Sequence, residues 1–241
     1  MLDWLRRAPR AAPTIEIAGR SLPIEVRRLD RARRMTMRLA PDGSTVRISM
    51  PRWGGTAEAL AFARSRCDWL ERQLVALPAP VTVQSGSPLM LLGRPIELRH
   101  QPTSRRRPIL EDGVLHVGGA EASLAPRLRR WLQERAVEHI TRDLRQYCAK
   151  AGVSVPRLAL SNARRRWGSC AADGAIRINW RLIMAPEFVR RSVVAHEVAH
   201  LLHFDHSPAF HASLASLFEE DLAAANAWLK REGRGLYQPF G

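Results

Sequence analysis

The sequence predicts an α+β protein, and three observations predict it. Short apolar alternations separated by turn residues occupy much of 14–50 and 81–119. A stripe of apolar residues at helical spacing runs unbroken from Ser123 to Gly152. The segment His196-Glu197-Val198-Ala199-His200 then sits inside a second strong helical pattern. The expected layout is a loose basic leader over 1–13, a β-rich N-terminal region with one helix over 14–120, and a core over 121–241. That core has a long backing helix, a β-hairpin, the helix bearing the histidine pair and a C-terminal helix. A single continuous domain over 14–241 is the other division considered.

The elements follow in order. Ile15, Ile17, Leu22, Ile24 and Val26 alternate with polar residues around Gly19-Arg20. Met35–Met50 reads as a hairpin turning at Pro41-Asp42-Gly43 and ended by Pro51. Thr56 is placed as the cap of one helix reaching about Leu77, with Leu60, Cys67, Trp69, Leu70 and Leu74 inward and Pro78-Ala79-Pro80 as the stop. Leu89–Leu98 reads as a hairpin turning at Gly93, and Ile109–Val117 as another turning at Asp112-Gly113. Arg105-Arg106-Arg107 is a solvated tip, and His100, His116 and His139 are structural or exposed. The long helix buries Leu124, Leu128, Trp131, Leu132, Val137, Ile140, Leu144, Tyr147 and Cys148. A further hairpin turns at Asp173-Gly174. Pro186 starts the histidine helix, residues 208–232 form one last helix or two, and Gly233-Arg234-Gly235 leaves a short tail. No internal repeat is evident.

Hydrophobic content of 46% supports a real core, and no run of about 18 apolar residues is present to span a membrane. The start, Met1-Leu2-Asp3-Trp4-Leu5-Arg6-Arg7, lacks the apolar stretch of a signal peptide, so a cytoplasmic location is expected. Cys67, Cys148 and Cys170 are widely spaced without a C-x-x-C, which argues against a disulfide framework and a cysteine zinc site. The net charge is +15, almost all of it arginine, since Lys150 and Lys230 are the only lysines. That charge favours polyanions at low salt, and non-specific nucleic-acid contact through the arginine-rich surface is one partner expectation.

Histidines at i and i+4 lie on one face of a helix, about one turn apart, so both rings reach a single ion. A glutamate after the first matches the zinc-hydrolase pattern H-E-x-x-H. Glu197 then stands beside the ion and takes a proton from a zinc-bound water. A catalytic zinc takes three protein ligands and leaves a position for water. Two candidates follow, His203 and His206. His206 is the choice, because Ser207 is a good N-cap and Pro208 a good first helical residue, which turns His206 back toward the first helix. His203 falls in the last turn, where the helix dipole also favours a histidine. The expected set is His196, His200 and His206 on one Zn2+ ion, with Glu197 catalytic. Other divalent metals suit such a site as well.

At Arg166-Trp167-Gly168-Ser169-Cys170, at Ile178-Asn179-Trp180-Arg181-Leu182, and from His196-Glu197 to Phe210, the chain resembles the YgjP-like metal-dependent hydrolases. These are M48-family metallopeptidases related to the SprT-like and WLM proteases. The likeness runs from about residue 24 to about 235. It implies a zincin-like metallopeptidase core, with zinc on His196, His200 and His206 and the family glutamate at Glu197. One departure is His211 after Phe210, where the family often has an aromatic residue. The spacing also resembles metzincins, but His203 stands where their glycine falls and no methionine turn follows.

The expected function is therefore zinc-dependent hydrolysis of a peptide or protein substrate. Arg166, Trp167, Gly168 and Ser169 either form a rim that holds an extended peptide by backbone pairing, or Trp167 and Cys170 simply pack on the metal helix and support it. Tyr147, Tyr237 and His203 are candidate oxyanion partners. Two alternatives stand beside this reading. One is a protease acting on nucleic-acid-bound proteins, as the resemblance to SprT-like and WLM proteases implies. The other is a non-catalytic zinc module with a basic binding face. The sequence does not specify an oligomeric state.

Overall fold

Period-two alternation becomes strands wherever a two-residue turn can fold them back. The computed structural model describes residues 13–40, 43–75 and 83–240. The chain forms two compact units, Met1–Ala79 and Pro80–Gly241.

In the first unit β1 (Thr14–Ile17) pairs antiparallel with β2 (Arg20–Leu29), and β3 (Thr36–Leu39) pairs antiparallel with β4 (Val46–Pro51). β2 and β4 run parallel, so the sheet order is β1-β2-β4-β3. The β1–β2 turn places Ala18 and Gly19 at φ 49° and 73°, the left-handed pair that a two-residue hairpin needs. Of the β3–β4 turn, Pro41 and Asp42 lie outside the described residues. The inward residues Ile15, Ile17, Leu22, Ile24, Val46 and Ile48 are buried against Ala59, Ala63 and Leu70.

Those last three belong to two helices rather than the one expected, α1 (Thr56–Arg64) and α2 (Cys67–Val75). The break comes at Ser65. Its hydroxyl donates to the Phe62 carbonyl, and Arg66 N–H bonds Ala63 O, which tightens the last turn and ends the helix. Thr56 is not the cap either. Gly55 holds that place, its N–H donating to Glu58, while the Thr56 hydroxyl accepts from Arg28. The proline stop at 78–80 lies outside the described residues.

The second unit repeats the strand order. β5 (Pro88–Leu91) and β6 (Arg94–His100) form one hairpin, β7 (Ile109–Glu111) and β8 (Val114–Val117) another, and β6 runs parallel to β8 in the order β5-β6-β8-β7. The chain thus carries a topological repeat that its sequence does not advertise. The topology needs only alternation and turns, not particular residues. These strands sit with the C-terminal core, not with the first unit. Leu89, Leu98 and Leu115 join the same buried cluster as Leu124 and Leu128. The division seen in the structure thus falls near residue 80, ahead of these strands, where the sequence grouped them with 14–120.

α3 (Leu124–Ala151) is the long backing helix, ended by Gly152 in the left-handed conformation at φ 67°. Its buried stripe runs Leu124, Leu128, Leu132, Ala136, Ile140, Leu144 and Cys148, a strict four-residue step. Val137, expected inside, is 46% exposed, because that step assigns the inward place to Ala136. Next come β9 (Leu158–Ser161), β10 (Gly168–Cys170) and β11 (Ile176–Asn179), in the order β10-β11-β9. β10 and β11 form the expected hairpin, and β9 lies parallel to β11.

A 3-10 turn at Trp180–Ile183 leads into α4 (Glu187–Leu202), with Pro186 as its N-cap. The β5–β6 hairpin tip buttresses this entry. Leu92 N–H donates to Ile183 O at 2.7 Å, and a Cβ on Gly93 would stand 2.7 Å from Pro186 Cα. The C-terminal helix is two, α5 (Pro208–Leu217) and α6 (Leu222–Glu232), the second capped by the Asp221 carboxylate accepting from Ala224 N–H.

α4 is held against α3 by a buried ion pair. Arg190 Nε donates to Asp143 Oδ2 at 2.7 Å, with the two side chains 0% and 2% exposed. Cutting Asp143 to alanine leaves the guanidinium buried without its main partner. The expected loss is about 3–5 kcal/mol, read as a fall in Tm of about 10 °C. A melting curve within about 2 °C of the wild type would refute the brace.

Candidate active site

α4 presents His196 and His200 on one face, one turn apart. The chain leaves α4 at His203, which caps it in an extended conformation. It then turns through Asp205, whose carboxylate accepts from Ser207 N–H. The Ser207 hydroxyl accepts from Phe210 N–H and starts α5, with Pro208 in its first turn. This tight reversal brings His206 back over α4. One ring nitrogen from each of His196, His200 and His206 lies within 4.8 Å of the other two. His196 Nε2 and His206 Nε2 are 3.3 Å apart. Two nitrogens each about 2.0–2.1 Å from a tetrahedral zinc stand about 3.3–3.4 Å apart. The spacing of that pair therefore suits such an ion, and the third nitrogen lies close enough to join it.

Tautomer and ring orientation are set as well. His200 Nδ1 lies 3.1 Å from the His203 carbonyl. A carbonyl only accepts, so Nδ1 carries the proton and Nε2 keeps its lone pair for an ion. His203 thus contributes its backbone, while its side chain stays out of the cluster. Burial, then the charges of His200, His206 and His211, push His196 down to about 4, so its ring is neutral near pH 7. Phe210 is fully buried under the three rings, with centroids 5.0 Å from His196, 4.6 Å from His200 and 4.8 Å from His206. The sequence analysis named Phe210 only as the end of the segment that carries the family resemblance. Its place four residues after His206, on the helix that turns back, was the signal for more.

Glu197 is 5% exposed and faces β10. A Cβ on Gly168 would stand 2.3 Å from Glu197 Oε1, so the carboxylate fills the space that glycine leaves. Burial raises the Glu197 carboxyl to about 7, against the positive charge of Arg166 and a hydrogen bond from the Cys170 backbone N–H. β10 is an edge strand, pairing with β11 on one side.

Two clefts meet at this point. One, of about 340 Å³, is lined by Trp167, Val193, Leu214, Leu222 and Leu229 and reaches His196 and Glu197. The other, of about 320 Å³, is lined by Ser169, Cys170, His200, Phe204 and His206 and reaches the same two residues. Arg166 and Gly168 line both. The four proposed rim residues are therefore all at the clefts, with Trp167 on the first and Ser169 on the second. Of the oxyanion candidates, Tyr147, Tyr237 and the His203 ring line neither cleft. Tyr147 is buried on α3 beside Arg191 and Lys150. Tyr237 packs on Trp167 at 5.5 Å and donates to Ala163 O, which supports the rim from behind.

The short tail after α6 packs against the core through Leu236 and Phe240. Gly235–Tyr237 is a 3-10 turn, Phe240 is buried, and its carbonyl accepts from Arg181.

The family model described as YgjP-like, metallopeptidase domain, matches residues 33–232. The chain belongs to the YgjP-like family. No match is found among curated proteins or among solved structures. Family membership makes this chain a metallopeptidase in class and implies a metal ion. Among the described residues, the histidine cluster on α4 and the following turn is the group placed to hold it. No helix of the described residues is long and apolar enough to cross a membrane.

Proposed function

We propose that this YgjP-like protein is a zinc-dependent peptidase, with His196, His200 and His206 holding one ion and Glu197 acting as general base. One observation carries the reading. A buried carboxylate stands next to three converging imidazoles, at the meeting point of two open clefts. A purely structural zinc site uses four protein ligands and has no need of such a carboxylate.

Zinc, when bound, supplies a Lewis acid and lowers the pKa of a coordinated water toward about 7. Glu197 accepts the proton of the attacking water on its carboxylate and returns it to the leaving amine. Gly168 and the Cys170 N–H hold that carboxylate in place. The edge of β10 offers backbone groups to an extended peptide lying across Arg166–Ser169.

Metal content by mass spectrometry tests the ligand set. The wild type is expected to hold one zinc per chain. His200→Ala and His206→Ala are expected to lose it, with apparent affinity falling by at least about 100-fold. His203→Ala is expected to keep it, because that residue acts through its carbonyl. Loss of zinc in His203→Ala, or retention in His206→Ala, would move the third ligand.

A further inference from the structure

We propose that the cleft between α4, α5 and α6 is a specificity subsite that takes one bulky apolar side chain of the substrate, next to the bond being cut. The proposal rests on the peptidase reading and adds a substrate class to it.

The cleft is continuous with the site, because His196, Glu197, Arg166 and Gly168 line it as well as the neighbouring cleft. Away from that shared end its apolar walls are Trp167, Val193, Leu214, Leu222 and Leu229, from four different segments of the chain, with His211, Ser192 and Asn226 as its polar members. Its charged groups, Arg166 and Glu197, both stand at the shared end. The Ser192 hydroxyl is already committed to Val189 O at 2.9 Å, and Asn226 is exposed at the surface of α6. A lysine pushed past the shared end would lose water and meet no carboxylate, and a carboxylate would meet only the His211 ring. A leucine or phenylalanine side chain would instead bury apolar surface against Trp167, Val193, Leu214, Leu222 and Leu229. About 340 Å³ lies at the low end of small-ligand pockets, which suits a side chain rather than a folded segment. The second cleft carries Ser169, Cys170, His200 and His206, so the two sides of the scissile bond meet unlike surroundings.

Three zinc-chelating hydroxamates, of acetylated alanine, leucine and phenylalanine, probe the cleft directly. Their affinities for the zinc-loaded full-length protein are measured by calorimetry, beside cleavage-site mapping with a random peptide library. The leucine and phenylalanine compounds are expected to bind at least about tenfold more tightly than the alanine compound. In Asn226→Trp, where an indole replaces an exposed side chain at the cleft, the difference should shrink to within about threefold. The library should show cuts beside large apolar residues. Equal affinities in the wild type, or a difference that survives Asn226→Trp, overturn the subsite. An affinity difference without any peptide cleavage sinks the peptidase reading and leaves the apolar preference standing. A chain that takes up no zinc and binds none of the compounds overturns both.

Discussion

Glu197→Gln is expected to lower kcat/KM for any peptide substrate by about 10²–10⁴-fold while zinc content stays at one per chain. Glutamine keeps the shape of the side chain and an oxygen that still accepts from the Cys170 N–H. It loses only the capacity to take a proton. Fold is therefore not what fails, and the metal-free protein makes this checkable. Burial raises the Glu197 carboxyl from its ordinary value to about 7. An acid whose folded pKa lies above its unfolded one disfavours folding once pH passes the unfolded value, and the penalty is complete above the folded value. The metal-free glutamine variant should then melt at or above the wild type at pH 8, and the gap should close near pH 4. Activity lost and stability kept is the signature of a catalytic carboxylate. Unchanged kcat/KM would sink the role of Glu197, and a large fall in Tm would recast it as structural.

Gly168→Ala is expected to cost about 100-fold in kcat/KM, again with metal retained. Space is the reason, not backbone freedom. Gly168 carries no positive φ among the glycines that do. The added methyl carbon would stand 2.3 Å from Glu197 Oε1 and 2.7 Å from its Cγ and Cδ. Nothing approaches that closely, so the carboxylate must swing away from the Cys170 N–H and from the histidines. A displacement of about 1 Å at a reacting group is enough for an effect of that size. Paired assays separate the outcomes. A fall in kcat/KM with normal zinc and normal melting supports the packing argument, whereas full activity would show that Glu197 works from another position.

The legible parts of the fold share one property, a short range. Asp112-Gly113, Gly93 and Gly19 mark hairpin turns because two residues decide them. The apolar four-residue step of α3 was visible, and its only misplacement, Val137 for Ala136, is a neighbour's error of one position. The break at Ser65 was not legible, since apolar spacing continues through it and the hydroxyl bond that ends α1 has no pattern of its own. At the site, the i, i+4 histidines and the Ser207-Pro208 start of α5 pointed to His206. The family resemblance, carried by the same residues, agrees with the family match.

By itself, then, the sequence determined the α+β class, the hairpins, the backing helix and the pairing of His196 with His200, and it favoured His206 over His203 as their partner. Each is settled by spacing along a few turns of chain, where covalent geometry leaves few alternatives. Only the tertiary structure decided the rest. It set Gly168 against Glu197, 29 residues further along the chain, and Phe210 beneath the three rings. It grouped β5–β8 with the C-terminal core, folded Tyr237 behind Trp167 and set Phe240 against Trp180. It also opened an apolar cleft between α4, α5 and α6. These depend on which distant surfaces exclude water together, and burial is non-directional, so no local pattern records its outcome.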